Sequence, residues 1–185
     1  MLDAAGFFGA LVETARKMDP WRLVAFAAMY GVSGCMTELV DVMGINEYWG
    51  WYDRCSDLLG TDQHPDPTKP LDMSALREGM SEFVAENPDM PLLHTEFGAD
   101  AVPGYLSTKR KLWSEAYQAE LFRATLDTVA EFSQVVGVFP FLYHDYPDPS
   151  KLVQRYWDGE NLKGVVSYDR KRKRACDGLR NVYAA

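Results

Sequence analysis

The chain has little with which to hold a metal or staple itself. It carries three histidines and three cysteines in 185 residues. His64, His94 and His144 fall in no H-E-x-x-H or similar ligand spacing, so no metal site is expected. Cys35, Cys55 and Cys176 form no C-x-x-C pair, and their odd number does not describe a disulfide framework. They are expected to be buried thiols. No apolar run approaches the length of a membrane span, so no membrane partner is expected. The N-terminus lacks a basic stretch followed by an apolar run and a cleavage site, and the expected compartment is the cytoplasm. Positive charge is scarce as well. A net charge of −8 and a pI near 4.9 argue against nucleic acid as a partner. The one basic run, Arg170-Lys171-Arg172-Lys173-Arg174, reads as a solvated helix start rather than a nucleic-acid patch.

What is present is a core. The hydrophobic content of 47% supports one domain over residues 1–185. Aromatics reach 13%, a composition that suits ring-shaped ligands such as sugars but also fills ordinary cores.

The apolar pattern alternates between helical and extended spacing. Phe7, Phe8, Leu11, Val12 and Ala15 predict a helix over 7–18, stopped by Asp19-Pro20. Residues 22–30 read as a buried strand, 36–40 as a short helical turn, and 42–46 as a second strand. Residues 60–72 are a Pro- and Asp-rich loop. Ser74 is the expected N-cap of a helix to 86, with Leu76, Met80, Phe83 and Val84 on one side. A third strand covers 92–95, a long helix 114–133, a fourth strand 135–143 and a last helix 171–183. Strands that are apolar throughout, alternating with helices, mean a parallel sheet covered by helices. Four strands are too few for an eight-stranded barrel, which leaves a small open α/β sheet or half of a barrel.

One strand ends in chemistry. Pro91-Leu92-Leu93-His94-Thr95-Glu96-Phe97-Gly98 delivers a carboxylate to the rim of the sheet, and a glycine follows soon after. In α/β barrels, catalytic groups sit at such C-terminal strand ends. The plainer alternative is a solvated or helix-capping glutamate.

Five motifs in order bring in a resemblance. Asp41-Val42-Met43-Gly44-Ile45-Asn46-Glu47-Tyr48-Trp49-Gly50-Trp51-Tyr52 resembles D-V-x-x-x-N-x-Y-x-G-W-Y of the family-two glycoside hydrolases, and of their β-glucuronidases in particular. Thr95-Glu96-Phe97-Gly98-Ala99-Asp100 resembles T-E-[YF]-G-x-D, and Trp113-Ser114-Glu115-Ala116-Tyr117-Gln118 resembles W-S-E-E-Y-Q. Asn161-Leu162-Lys163-Gly164 resembles N-x-K-G, and Asp169-Arg170 the D-R after it. The resemblance runs from residue 7 to the end. It implies the C-terminal half of a (β/α)8 TIM barrel, its fifth to eighth βα units.

The resemblance also implies roles. Glu96 is the nucleophile of a retaining β-glycosidase, which uses two carboxyls about 5–5.5 Å apart. Tyr48 neighbours it, and a hydrogen bond there would favour the carboxylate form. Asn46 lines the pocket. Asn161 and Lys163 meet the sugar carboxylate, where a lysine offers a point charge; Arg155 is a further candidate for that contact. Phe141 stands where the family places a sugar-platform tryptophan, and Leu142 where it places an asparagine. Phe141 can stack but has no N–H to donate, so substrate choice stays open between β-glucuronides and β-galactosides. A carbohydrate is the expected partner, and no cofactor is implied.

The family's acid/base glutamate ends the fourth strand, and the helix at 7–18 matches the helix just after that strand. This implies that the acid/base lies before Met1. The chain alone is then expected to be poorly active, needing the other barrel half or oligomerisation, and a non-catalytic remnant or sugar-binding module is the alternative. Glu47 is not expected to replace the missing acid, because neighbouring strand residues face opposite ways. Glu115 reads as helix-start charge or a loop anchor, and His94 and His144 as satisfied strand-end histidines.

Overall fold

A computed structural model describes residues 4–29, 34–51, 70–149 and 159–184. The elements run α1 (Ala4–Met18), β1 (Ala25–Met29), α2 (Gly34–Thr37), β2 (Val42–Asn46), α3 (Ser74–Glu86), β3 (Leu92–Phe97) and α4 (Glu115–Val129). They continue with β4 (Val135–Pro140), β5 (Tyr146–Pro147), β6 (Glu160–Asn161) and α5 (Arg174–Tyr183). Strands β1 to β4 form one parallel sheet in sequential order, and β5 pairs with β6 antiparallel. Sequential parallel strands joined by helices are the arrangement expected of four consecutive βα units of a (β/α)8 barrel.

The helices cover one face of the sheet. Phe8 and Val12 of α1 pack against the layer that holds Phe26 of β1, Met43 and Ile45 of β2, and Leu76, Met80 and Phe83 of α3. The Phe8 and Phe26 rings meet edge to face at 4.9 Å. A second cluster joins Phe97 of β3 and Phe122 of α4 to Val165, Val166, Ala175 and Leu179. On the other face, β1 alternates exposed and half-buried residues, and Val136 and Phe139 of β4 are exposed.

Several boundaries differ from the sequence expectation, each for a local reason. Ser74 does not cap α3; the Asp72 carboxylate accepts the Ser74 N–H at 2.9 Å, and no side chain caps from the N-cap position, Met73. Ser114 does cap α4, accepting the Tyr117 N–H at 3.1 Å. Strand β4 stops at Pro140, three residues early, because Leu142 and Tyr143 turn aside to pair with Lys163, Val165 and Val166. Helix α5 starts at Arg174 rather than 171, and the residue before it departs most from expectation. Lys173 is 1% exposed, not part of a solvated face. The cysteine expectation is corrected in part: Cys176 is a free, half-buried thiol, while Cys55 and the side chain of Cys35 lie outside the described residues.

Candidate active site

The C-terminal ends of β2, β3 and β4 converge on one cluster. Asn46 and Glu96 are register partners across β2 and β3, where the pairing slips by a residue. That slip marks a local irregularity of the strand, a device that re-aims side chains at barrel rims. Asn46 Oδ1 accepts the Thr95 hydroxyl at 2.6 Å. The Tyr48 hydroxyl donates to Glu96 Oε2 at 2.6 Å. This short bond restrains the carboxylate at its far end, while the β3 backbone restrains it at the other.

Tyr48 is the hub. Its ring meets Phe141 edge to face at 6.4 Å, and Lys163 Nζ lies 5.8 Å from its centroid. The same ammonium lies 6.0 Å from the Trp51 ring. Trp51, Ala99, Tyr117 and Leu121 pack beneath Tyr48 as an apolar floor. A cation over aromatic faces is attracted by their quadrupoles, more so where water is excluded.

The expected residues therefore come together: Asn46, Tyr48, Glu96, Phe141 and Lys163 form one contiguous group. Asn161 joins it through the loop of Lys163, with a different local task. Its Oδ1 accepts the Lys163 N–H at 3.1 Å, and its amide approaches the Tyr146 hydroxyl at 3.3 Å. Lys163 is 1% exposed and ion-paired with Asp100 at 2.7 Å. Arg155 lies outside the described residues.

Glu47 faces away from this cluster, as the strand alternation requires. Its carboxylate accepts the Trp49 indole N–H at 3.1 Å, and it shares a small cavity with Leu76, Met80 and His94 under the sheet. Burial pushes its carboxyl above the usual range, only partly offset by Trp49. His94 corrects the expectation of a satisfied histidine. It is 3% exposed, and among the described residues neither ring nitrogen has a hydrogen-bond partner. Burial pulls its pKa down to about 4, opposed by the nearby Glu47 backbone, which does not reach hydrogen-bond geometry with the ring. His144 does have a contact, Nδ1 to the Asp145 carbonyl at 2.7 Å. Glu115 is a loop anchor, accepting the N–H groups of Gly104 and Arg174.

Four residues near the cluster were not singled out by sequence: Asp100, Gln118, Asp145 and Lys173. Two of them sit inside quoted motifs, but nothing in a linear pattern says that an acid will meet a lysine 63 positions on. Lys173 was hidden in a run of like charge.

Comparison with known proteins agrees on one family. Residues 3–185 match the TIM barrel domain of the glycosyl hydrolases of family 2. A β-glucuronidase of Paenibacillus borealis is 25% identical over 97% of this chain and 28% of its own length. The β-glucuronidase of Ruminococcus gnavus superposes with a TM-score of 0.82 at 23% identity, over 98% of this chain and 29% of that one. A β-galacturonidase of Eisenbergiella tayi, solved with galacturonate, superposes at 0.77 and 23% identity, over 98% of this chain and 30% of that one. The chain spans under a third of the length of each of these relatives.

Proposed function

The chain belongs to the glycosyl hydrolases of family 2, and from that premise we propose that it forms part of the catalytic barrel of a retaining β-glucuronidase in which Glu96 is the nucleophile. One observation carries the reading: the Tyr48 hydroxyl holds Glu96 Oε2 at 2.6 Å beside the buried Lys163 ammonium. Names of relatives that act on uronic acid sugars support the choice of an acid sugar.

In this mechanism a Glu96 oxygen bonds to the anomeric carbon as the bond to the leaving oxygen breaks. A second carboxyl gives that oxygen its proton. Water then attacks the same carbon, the second carboxyl takes its proton, and Glu96 leaves as carboxylate. Within the described cluster the other acids are committed elsewhere, Glu47 to Trp49 under the sheet and Asp100 to Lys163. Following the family resemblance, we assign the proton donor to another strand of the barrel. Lys163 and Asn161 meet the sugar carboxylate, which would share the Lys163 ammonium with Asp100 once substrate opens the site; Phe141 and Tyr48 supply the ring-facing wall, and Asn46 lines the pocket between them.

The test uses the full-length protein and an aryl β-D-glucuronide. Glu96→Gln is expected to lower kcat by at least about 10⁴-fold, because a neutral amide cannot form the covalent intermediate. Trapping with a fluorinated glucuronide should label the peptide that contains Glu96. Label on another residue, or a Glu96→Gln enzyme with unchanged kcat, sinks the assignment.

A further inference from the structure

The loop that carries Lys163 is fixed at nearly every backbone polar group, and chiefly by side chains from elsewhere in the chain. Asp100 Oδ1 accepts the Leu162 N–H at 2.8 Å, and Asp145 Oδ1 accepts the Gly164 N–H at 2.9 Å. Lys173 Nζ donates to the Leu162 carbonyl at 2.8 Å. Gln118 Nε2 reaches the carbonyls of Lys163 and Gly164, each at 3.2 Å. Gly164 closes the arrangement. A Cβ there would stand 2.3 Å from the Asp145 backbone nitrogen, so only glycine permits the approach.

Four buried charges stand at the centre of this loop. Lys163 pairs with Asp100 at 2.7 Å and Lys173 with Asp145 at 2.8 Å, all four side chains 1–2% exposed. Removing ions from water is costly, and an apolar replacement of a buried pair is often as stable. Stability is thus a poor account of the second pair. Its bonds give a better one. Besides Asp145, the Lys173 ammonium holds the Leu162 carbonyl and, at 2.7 Å, the Ala101 carbonyl. One side chain therefore ties the exit of β3, which carries Glu96, to the loop that carries Lys163.

Resting on the glucuronidase reading, we propose that Lys173 and Asp145 are positioning residues for Lys163: a buried latch that sets selectivity for an acid sugar without touching it. A lysine is a compact charge on a flexible stem. It discriminates between substrates only if its backbone is held in place relative to the nucleophile, since displacements near 1 Å can cost about 10²-fold in rate.

The decisive variant is Lys173→Met/Asp145→Asn in the full-length protein. It removes both charges together and leaves no lone buried ion. Kinetics are compared on p-nitrophenyl β-D-glucuronide and the matching β-D-glucoside. The glucuronide kcat/KM is expected to fall about 10-fold further than the glucoside value, mainly through KM. Lys173→Arg, which keeps the donors and the charge, should recover part of the loss. Equal losses on the two substrates overturn the proposal.

Amide hydrogen exchange gives a readout that needs no activity, so it still decides the latch if the enzyme cuts no glucuronide and the functional reading fails. In the double variant, exchange at Leu162, Lys163 and Gly164 should accelerate at least about 10-fold more than at Met43 and Leu92, strand amides bonded to Pro91 and Gln134. Uniform acceleration, or none, means that Lys173 does not hold this loop.

Discussion

Two layers of this half-barrel bury titratable side chains, and they differ in the partners they give them. At the strand ends, Asp100, Asp145, Lys163 and Lys173 are almost fully enclosed, and each ion faces a counter-ion. Under the sheet, Glu47 and His94 are also buried, Glu47 less completely. Glu47 has an indole donor, and His94 has no partner among the described residues. The first layer sets each ion against a counter-ion. The second responds by shifting toward neutrality, with Glu47 pushed up and His94 pulled down. Even the paired layer shows the strain of burial: desolvation raises the Asp145 carboxyl and lowers the Lys173 ammonium, against their mutual attraction. Burial alone therefore does not mark a functional site. What sets the first layer apart is that its ions also hold the backbone of the Lys163 loop.

The largest expected effect breaks the pairing on one side only. Lys173→Met leaves Asp145 buried beside Asp100 with its counter-ion gone. Loss of one partner from a buried pair costs about 3–5 kcal/mol, and the double change Lys173→Met/Asp145→Asn should recover much of it. Urea unfolding of the two variants and the parent measures both. A double variant as unstable as the single one would mean that the pair contributes outright stability, and the contrast between the layers would weaken.

The second effect is smaller and acts through pH. A buried imidazole held neutral binds its proton more weakly in the native protein than in the unfolded chain. Its contribution to stability is complete above about pH 6.5 and is lost as pH falls through that value toward 4. The shift corresponds to about 2 kcal/mol near pH 5. Glu47, on the same cavity, runs the other way: its raised carboxyl favours the native state as pH falls toward its ordinary range. Trp49 and the Glu47 backbone are the polar groups that face this pair. His94→Leu should flatten the dependence of Tm on pH between 4 and 6.5 and leave stability at pH 8 equal or higher. An unchanged slope would place the acid sensitivity elsewhere.

The contrast also explains what could be read from the sequence. The four strands, their parallel order and Glu96 at a strand end were legible, because apolar periodicity and a terminal acid are local signals. Tyr48 beside Glu96 was legible only through the resemblance, since the two are 48 residues apart. The latch was not legible at all. Asp145 belongs to no motif in the sequence, and Lys173 read as one of five surface cations. Their meeting, 28 residues apart, depends on Leu142 and Tyr143 leaving β4 early to pair with the Lys163 loop. Capping went the same way: Asp72 took the task expected of Ser74, which is a choice between two adjacent polar residues that pattern does not make.

An exposed ion pair supplies the smallest effect and the limiting case. Arg77 and Glu131 form two hydrogen bonds of 2.7 Å between α3 and the end of α4, a better geometry than either buried pair. Both side chains remain nearly half exposed. Water already solvates each ion there, so the pair replaces one good environment with another and is screened by salt. Arg77→Ala is expected to shift Tm by no more than the scatter between repeat melts, with no change in exchange at Leu162 to Gly164. If the exposed pair proved as costly to break as Lys173 with Asp145, distance and geometry would outrank enclosure in this protein. The case for a buried latch would then have to rest on substrate selectivity alone.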